Sequence, residues 1–439
     1  MINPPIPSAA RNLLFSALFA NAVVAGAQQQ PPIRQLPPIL AKSAVTWNNI
    51  LGVRGLPGGR VLVNDIFGRK VVLLDSTLSP ITIVADTTPA TATAYAGRIA
   101  SIIPYHGDST LFVDPQSMSM VVIDPNGKMG RVMALPRSQD AGMLGGALGN
   151  SAGLDSKGRL VFRAPMRFIM NGAPPQHGGL PPMPTPPESA AIVRVDLATR
   201  QLDTVGMIKI PKVNMQVSQD DKGNVRMISE VNPLPVVDEW SVLSDGTVAF
   251  VRGQDYHVDF VTADGSETSA PKIPFDWQRL SDEDKVAFID SVKAARARLA
   301  ASAPNGPAGP TPAGAPDGQQ RVLIQMGPDG GSAGGRAGGV TGGAPQVSFI
   351  APSELPDYKP PFLSGGVRSD AEGNLWIRTI PTRQIAGGPV YDVVNREGKL
   401  VDRVQIPAGR VIAGFGSDGS VYLTTRDGQT MTFERARVR

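Results

Sequence analysis

Six times along the chain, a tight polar turn ending in Gly or Ser-Thr launches a short apolar strand. The launches are Gly59-Arg60-Val61-Leu62-Val63, Ser109-Thr110-Leu111-Phe112-Val113, Gly158-Arg159-Leu160-Val161-Phe162, Gly246-Thr247-Val248-Ala249-Phe250, Gly373-Asn374-Leu375-Trp376-Ile377 and Gly419-Ser420-Val421-Tyr422-Leu423. A second strand follows each, and turn signals such as Asp124-Pro125-Asn126-Gly127, Ala263-Asp264-Gly265 and Arg396-Glu397-Gly398 mark where such strands end. Apolar residues alternate along the launches, as in Val61/Val63, Leu160/Phe162 and Leu375/Ile377, which suits sheets packed face to face. A repeat of that size made only of strands and turns predicts an all-β fold: a six-bladed β-propeller of four-stranded blades.

The middle strand pairs are predicted at 60–65 with 69–75, 110–114 with 119–124, 159–163 with 191–196, 247–252 with 256–262, 374–378 with 389–395, and 420–425 with 430–435. The last blade then lacks its fourth strand. Residues around 33–48 are expected to supply it and so close the ring, which removes the open sheet edges.

Gly 48 and Pro 41 in 439 residues make about a fifth of the chain, a share that fits dense turns and loose insertions. A net charge of +4, with both signs interspersed and no basic stripe, excludes nucleic acid as a partner. The absence of Cys removes disulfides, a thiol nucleophile and a Cys-linked lipid anchor together. Residues 1–27 read as a signal peptide: Arg11, the apolar stretch from Leu13-Leu14-Phe15 to Val23-Val24, and Ala25-Gly26-Ala27 as cleavage site. A retained membrane anchor is the alternative, and Ser16 and Asn21 interrupt it. The expected product is one domain, 28–439, periplasmic or extracellular and not integral to a membrane after cleavage.

Two insertions break the repeat, at 164–190 (Pro, Gly and Met-rich, with Met166, Met170 and Met183) and at 271–362. Within the second, Ser281 reads as a helix cap and Asp282-Glu283-Asp284 as a first turn, with Val286, Ile289, Val292 and Leu299 on the packed face of a helix over 282–300. Residues 301–345 are rich in Gly, Pro and Ala and read as disordered.

Loop lengths locate the functional face. The turns from first to second strand are short, as at Ser156-Lys157-Gly158 and Ser244-Asp245-Gly246. The long excursions at 136–149, 164–190, 208–236, 271–362 and 379–388 all fall on the opposite rim, and loops on a rigid scaffold carry binding. On that rim the inner strands should begin with Asn48, Asn49, Arg98, Asn150, Ser151, Asp238, Glu239, Ser364 and Arg410. The ligand-binding candidates are Asn49, Arg98, Asn150, Asp238, Glu239 and Arg410: cations and carboxylates around one opening suit an anion or a zwitterion. The amide–carboxylate set Asn150, Asp238 and Glu239 is also the candidate for Ca²⁺ or another divalent ion, and no other cofactor is implied. Asp238 and Glu239 are the candidate catalytic pair, since adjacent carboxylates raise one pKa and supply a general base. The plainer alternative has these groups lining a wet channel and pairing with one another.

His106, His177 and His257 show no zinc spacing, and no Gly-x-Ser-x-Gly elbow is present. Trp240, Trp376, Tyr391 and Phe415 read as packing between blades.

The strings Asp370-Ala371-Glu372-Gly373-Asn374-Leu375-Trp376-Ile377 and Gly55-Leu56-Pro57-Gly58-Gly59-Arg60-Val61-Leu62-Val63-Asn64-Asp65 resemble repeats of the NHL-like, TolB-like six-bladed propellers. Trp240-Ser241-Val242-Leu243-Ser244-Asp245-Gly246 and Val390-Tyr391-Asp392-Val393 are similar to exported bacterial members of that group. The resemblance covers about 45–436. It implies a group that includes interaction modules, sugar-acid lactonases with a divalent ion in the channel, and lyases. A lactonase-type site takes Glu, Asn and Asp ligands from separate blades, and only Asn150 with Asp238 or Glu239 stands in for them here. The expected function is therefore non-catalytic binding of a protein, peptide or glycan on the long-loop face. The alternative is a metal-assisted hydrolase or lactonase at the channel mouth.

Overall fold

The computed structural model describes residues 30–88, 95–97, 99–146, 152–166, 169–170, 184–212, 214–219, 225–301, 346–383 and 385–439. Residues 1–27, read from the sequence as a signal peptide, and most of the Gly/Pro-rich segment 301–345 lie outside them.

Six antiparallel sheets follow one another along the chain, one for each launch. Their strands, from the inside outwards, are 50–55, 61–65, 70–74 and 80–85 in blade 1; 101–104, 110–114, 119–123 and 129–134 in blade 2; and 153–154, 160–163, 189–195 and 202–209 in blade 3. Blade 4 holds 239–242, 248–252, 257–261 and 267–269, and blade 5 holds 362–369, 375–379, 390–394 and 400–405. Blade 6 takes 410–415, 420–427 and 430–437 from the C-terminal end of the chain, and its outer strand Ala41–Lys42 from the N-terminal end.

The launch turns form for a local reason. In blade 4 the Asp245 carboxylate accepts from the Thr247 N–H at 2.9 Å. Gly246 then takes φ 85°, and a Cβ there would meet the backbone of Asp155 and Ser156. Only glycine tolerates both conditions.

Packing explains why the strands are apolar along their whole length and not only at alternate positions. Val61 and Val63 face blade 6, while Leu62 faces blade 2. Leu160 and Phe162 face blade 2, and Val161 faces blade 4. Leu375 and Ile377 face blade 4, and Trp376 faces blade 6. Each middle strand is thus covered on both sides, and the core is divided into one apolar layer per blade interface.

Ring closure follows the expectation and exceeds it. Ala41–Lys42 pairs antiparallel with 434–435, and Trp47 forms a bridge with Met431. Trp47 is fully buried between blades 6 and 1, among Val61, Val63, Val72, Tyr422 and Phe433. An additional strand, Ile33–Gln35, runs parallel to 403–405 as a fifth strand on the outside of blade 5. Arg34 anchors it through an ion pair with Asp402 at 2.7 Å.

The insertions hold more order than their composition indicates. Strands 214–219, 225–231 and 346–349 form a separate three-stranded sheet, and Ile169–Met170 pairs with Pro184–Thr185. The helix spans Asp282–Ala301, and the Ser281 hydroxyl accepts from the Asp284 N–H while the Asp284 carboxylate accepts from the Ser281 N–H. Its packed stripe departs from the expected one. Lys285, Ile289 and Val292 turn inward, whereas Val286 is 48% exposed. Positions 285, 289 and 292 follow the four- and three-residue spacing of one helix face, and Val286 lies about 100° around from it. Leu280, Ile289, Ile350, Leu355 and Leu234 form a small core of their own, against Leu363 and Ile380 of blade 5. Leu363 begins an inner strand and Ile380 follows a second strand, so this platform stands on the long-loop face.

Candidate functional site

At the long-loop rim, backbone amides are latched by carboxylates that end the second strands. Asp65 accepts from the N–H groups of Asn48, Asn49 and Gly68 at 2.9–3.0 Å, and Asp114 does the same for Ala96 and Gly97. These bonds hold the entry to each inner strand against the exit of its neighbour. Asp238 makes an equivalent latch from the other side. Its oxygens accept from Lys209 N–H at 3.0 Å, Gly253 N–H at 3.2 Å and Arg252 Nη1 at 2.9 Å.

Of the residues read from the sequence as a site, Asn49 is buried, with its side-chain oxygen accepting from Arg426 at 3.2 Å. Arg410 is paired with Glu434 at 2.6 Å. Arg98, Asn150 and Ser151 lie outside the described residues. Asp238 and Glu239 do not act as a pair: successive residues of a strand point to opposite faces, so Asp238 latches the rim while Glu239 turns towards blade 5.

Glu239 is the unusual group. Its Oε1 accepts from Ser364 Oγ at 2.9 Å and from Gly365 N–H at 2.8 Å, where the inner strand of blade 5 bulges. Burial pushes its carboxyl above the ordinary value of 4.5, against the opposing pull of those two donors and of Arg163 and Arg368. Burial likewise lowers Arg163 and Arg368, partly offset in each by Glu239. Arg368 donates through Nε to Ile412 O of blade 6 at 3.0 Å. Burial raises Tyr391, which Arg378 and Arg368 pull back down. Glu239 therefore lies within electrostatic reach of Arg163 and Arg368, and Tyr391 within reach of Arg368 and Arg378.

These arginines went unread in the sequence, although a signal was present. Within three residues after each launch stands a charged group: Asp65, Asp114, Arg163, Arg252, Arg378 and Arg426. Blades 1 and 2 use that position for a latching carboxylate and blades 3 to 6 use it for arginine.

Among the described residues, no group of three or more His, Asp or Glu side chains is arranged to hold a metal ion. Asp238 is occupied by three donors, and Glu239 has guanidiniums for neighbours, so this pair does not fit a divalent ion. His257 faces Asp259 at 3.3 Å, but Ser269 donates to that same carboxylate oxygen and not to the imidazole, so they do not make a nucleophilic triad. His106 packs edge-on to Tyr105, and His177 is outside the described residues. On the opposite, short-turn face, a cavity of about 190 Å³ opens between blades 5 and 6, beside Asp370, Trp376 and Asp418. Asp370 there is occupied by Asn374 and by Trp376 Nε1.

The platform presents a second surface. Residues 278–280 pair with 357–359, with Leu280 N–H on Asp357 O and Lys359 N–H on Gln278 O. This register puts Leu280 inward and leaves Trp277, Arg279 and Tyr358 on the outer side, with Trp277 41% and Tyr358 49% exposed. Trp277 stands edge-on to Phe275 at 5.3 Å, and Phe275 stands on the buried Tyr256 at 5.6 Å. The exposed indole is therefore braced from the propeller core.

No protein-family model matches this sequence, and no curated protein matches it. Solved structures similar to it are six-bladed propellers. Virginiamycin B lyase from Staphylococcus aureus is 10% identical, with a TM-score of 0.35 over 89% of this chain and 95% of that one. A gluconolactonase from Xanthomonas campestris is 10% identical, with a TM-score of 0.36 over 93% and 97%. Regucalcin from Agrobacterium tumefaciens, described as a calcium-binding protein, is 12% identical, with a TM-score of 0.37 over 93% and 98%. The six-bladed architecture of this chain rests on its own sheets.

Proposed function

We propose that the protein is an exported, non-catalytic propeller that binds a protein, peptide or glycan on its long-loop face. The observation that carries this reading is the outer side of the platform ribbon. Trp277 and Tyr358 are held open to solvent on either side of Arg279, on a scaffold that has its own small core. Exposed aromatic rings with a polar handle, fixed by packing beneath, are the usual anchors of recognition surfaces. Loops that only covered the rim would fold such rings inward.

Pull-down from an envelope extract tests it, comparing the wild type with Trp277→Ala/Tyr358→Ala. Partners should be lost while the melting temperature stays within a few degrees, and an unchanged partner list refutes the reading. A second reading is a hydrolase or lactonase at the channel mouth that uses the buried Glu239 carboxyl, raised above its ordinary range and bonded to Ser364 and Gly365, as a general acid with no metal ion in the step. Hydrolysis of a lactone panel that disappears in Glu239→Gln would establish it in place of the first.

A further inference from the structure

The exposed indole of the platform is tied to a residue far away in the chain. Gln30 stands just before the strand Ile33–Gln35, and its amide bridges two elements. Nε2 donates to Pro274 O at 3.1 Å, and Oε1 accepts from Arg403 Nη1 at 2.7 Å. A carbonyl only accepts and a guanidinium only donates, so the bridge needs one group that does both, as a primary amide does from two separate atoms.

Both ends of the bridge are anchored. On the blade 5 side, Ile33–Gln35 pairs with 403–405, and Arg403 Nε donates to the buried Asp392 at 3.2 Å. Asp392 in turn accepts from the Tyr256 hydroxyl at 2.8 Å. On the platform side, Ile273 N–H donates to Tyr256 O at 2.7 Å. The next residues are Pro274 and Phe275, and the Phe275 ring stands on Tyr256 and braces Trp277. The contacts therefore run in a closed circuit, from Gln30 through Arg403, Asp392 and Tyr256 to residues 273–274 and back to Gln30. Such linked hydrogen bonds hold a segment more firmly than the same bonds made singly.

We propose that Gln30 is a positioning residue for the recognition surface: by fastening Pro274 to blade 5 it fixes the chain entering the platform, and with it the stance of Trp277. The proposal rests on the platform reading above. A ring already held in place loses less freedom on binding, so the bridge strengthens binding through Trp277.

Fluorescence of the full-length protein tests it without any partner. Of the four tryptophans, Trp47, Trp240 and Trp376 are buried and Trp277 is exposed, so acrylamide quenching reads Trp277. Trp277→Phe, which should remove the quenchable fraction, is the control. Gln30→Glu keeps an acceptor for Arg403 and loses the donor to Pro274, whereas Gln30→Ala loses both. Each should raise the quenching constant of that fraction roughly 1.5-fold or more and lower its anisotropy, with the melting temperature of Gln30→Glu within a few degrees of wild type. Unchanged quenching and anisotropy in both variants overturn the proposal. So does an effect in Gln30→Ala that is absent in Gln30→Glu, which would assign the hold to Arg403 alone. If Gln30→Ala fails to fold, Gln30→Glu carries the test. In the envelope pull-down, retention of partners should fall at least threefold in Gln30→Glu. Full retention there beside loss in Trp277→Ala/Tyr358→Ala overturns the proposal and leaves the platform reading standing. Full retention in both refutes the platform reading, and the proposal falls with it.

Discussion

Trp47→Ala is the sharpest test of how the ring is held shut. The indole is fully buried in the interface between the last blade and the first, with Phe433 edge-on at 6.3 Å and the Lys70 ammonium 5.1 Å over its ring. Truncating a buried aromatic to alanine costs about 3–5 kcal/mol. The lost cation–π contact adds about 0.5–1 kcal/mol. One observation works the other way: the indole N–H is buried without a partner among the described residues, and removing it offsets about 1–3 kcal/mol. A net loss of about 2–4 kcal/mol is therefore expected. The backbone bonds between Trp47 and Met431, at 2.7 and 3.3 Å, survive the substitution, so the closing strand should stay docked. Guanidinium unfolding followed by far-ultraviolet circular dichroism should show a lower midpoint with an unchanged slope. Val132→Ala, at an exposed outer-strand position, is the control and should change stability by less than about 0.5 kcal/mol. The reasoning fails if Trp47→Ala costs under about 1 kcal/mol. It also fails if an early transition confined to residues 33–47 appears, because closure would then be a local seam and not a property of the ring.

Other consequences can be measured in the same preparations. Asp238→Asn should cost about 1.5–3 kcal/mol in guanidinium unfolding, since Arg252 and two backbone amides share that carboxylate. Glu239 holds its proton more tightly folded than unfolded, so its contribution is present below the ordinary value of 4.5 and lost as pH rises through the higher folded value. Melting temperatures recorded from about pH 4 to 8 should show that decline in the wild type and a flatter profile in Glu239→Gln. Leu280→Ala should raise hydrogen exchange over 278–292 and 352–359 and leave the blades protected, since Leu280 packs in the platform's separate core.

The blade pairs were legible because their signal is local. Each launch combines an Asx- or Gly-type turn with an apolar run, and these determine a strand wherever the rest of the chain goes. The helix was legible at its N-terminus for the same reason, through the reciprocal Ser281 and Asp284 bonds. Its packed face was misread at Val286 because Lys285, a charged residue, is buried there by its bond to Asp357 at 2.7 Å. Long aliphatic stems bury readily when the ammonium finds a partner, and composition does not reveal the partner. The parallel strand at 33–35 left no pattern either, since three residues on an outer edge need no alternation.

By itself the sequence determined the number of blades, the middle strands of each, and the rim on which the insertions gather. Those follow from turn chemistry and apolar runs, which act over a few residues. The tertiary structure alone decided which charged groups meet. Asp238 and Glu239 are neighbours in the chain, yet the pleat sends one to latch the rim and the other towards the inner strand of blade 5. Glu239 and Ser364 are far apart in the chain, yet the packing of blade 4 against blade 5 seats the Glu239 carboxylate on the Ser364 hydroxyl and the Gly365 N–H. Burial on a closed ring, and not spacing along the chain, sets the charge of that site.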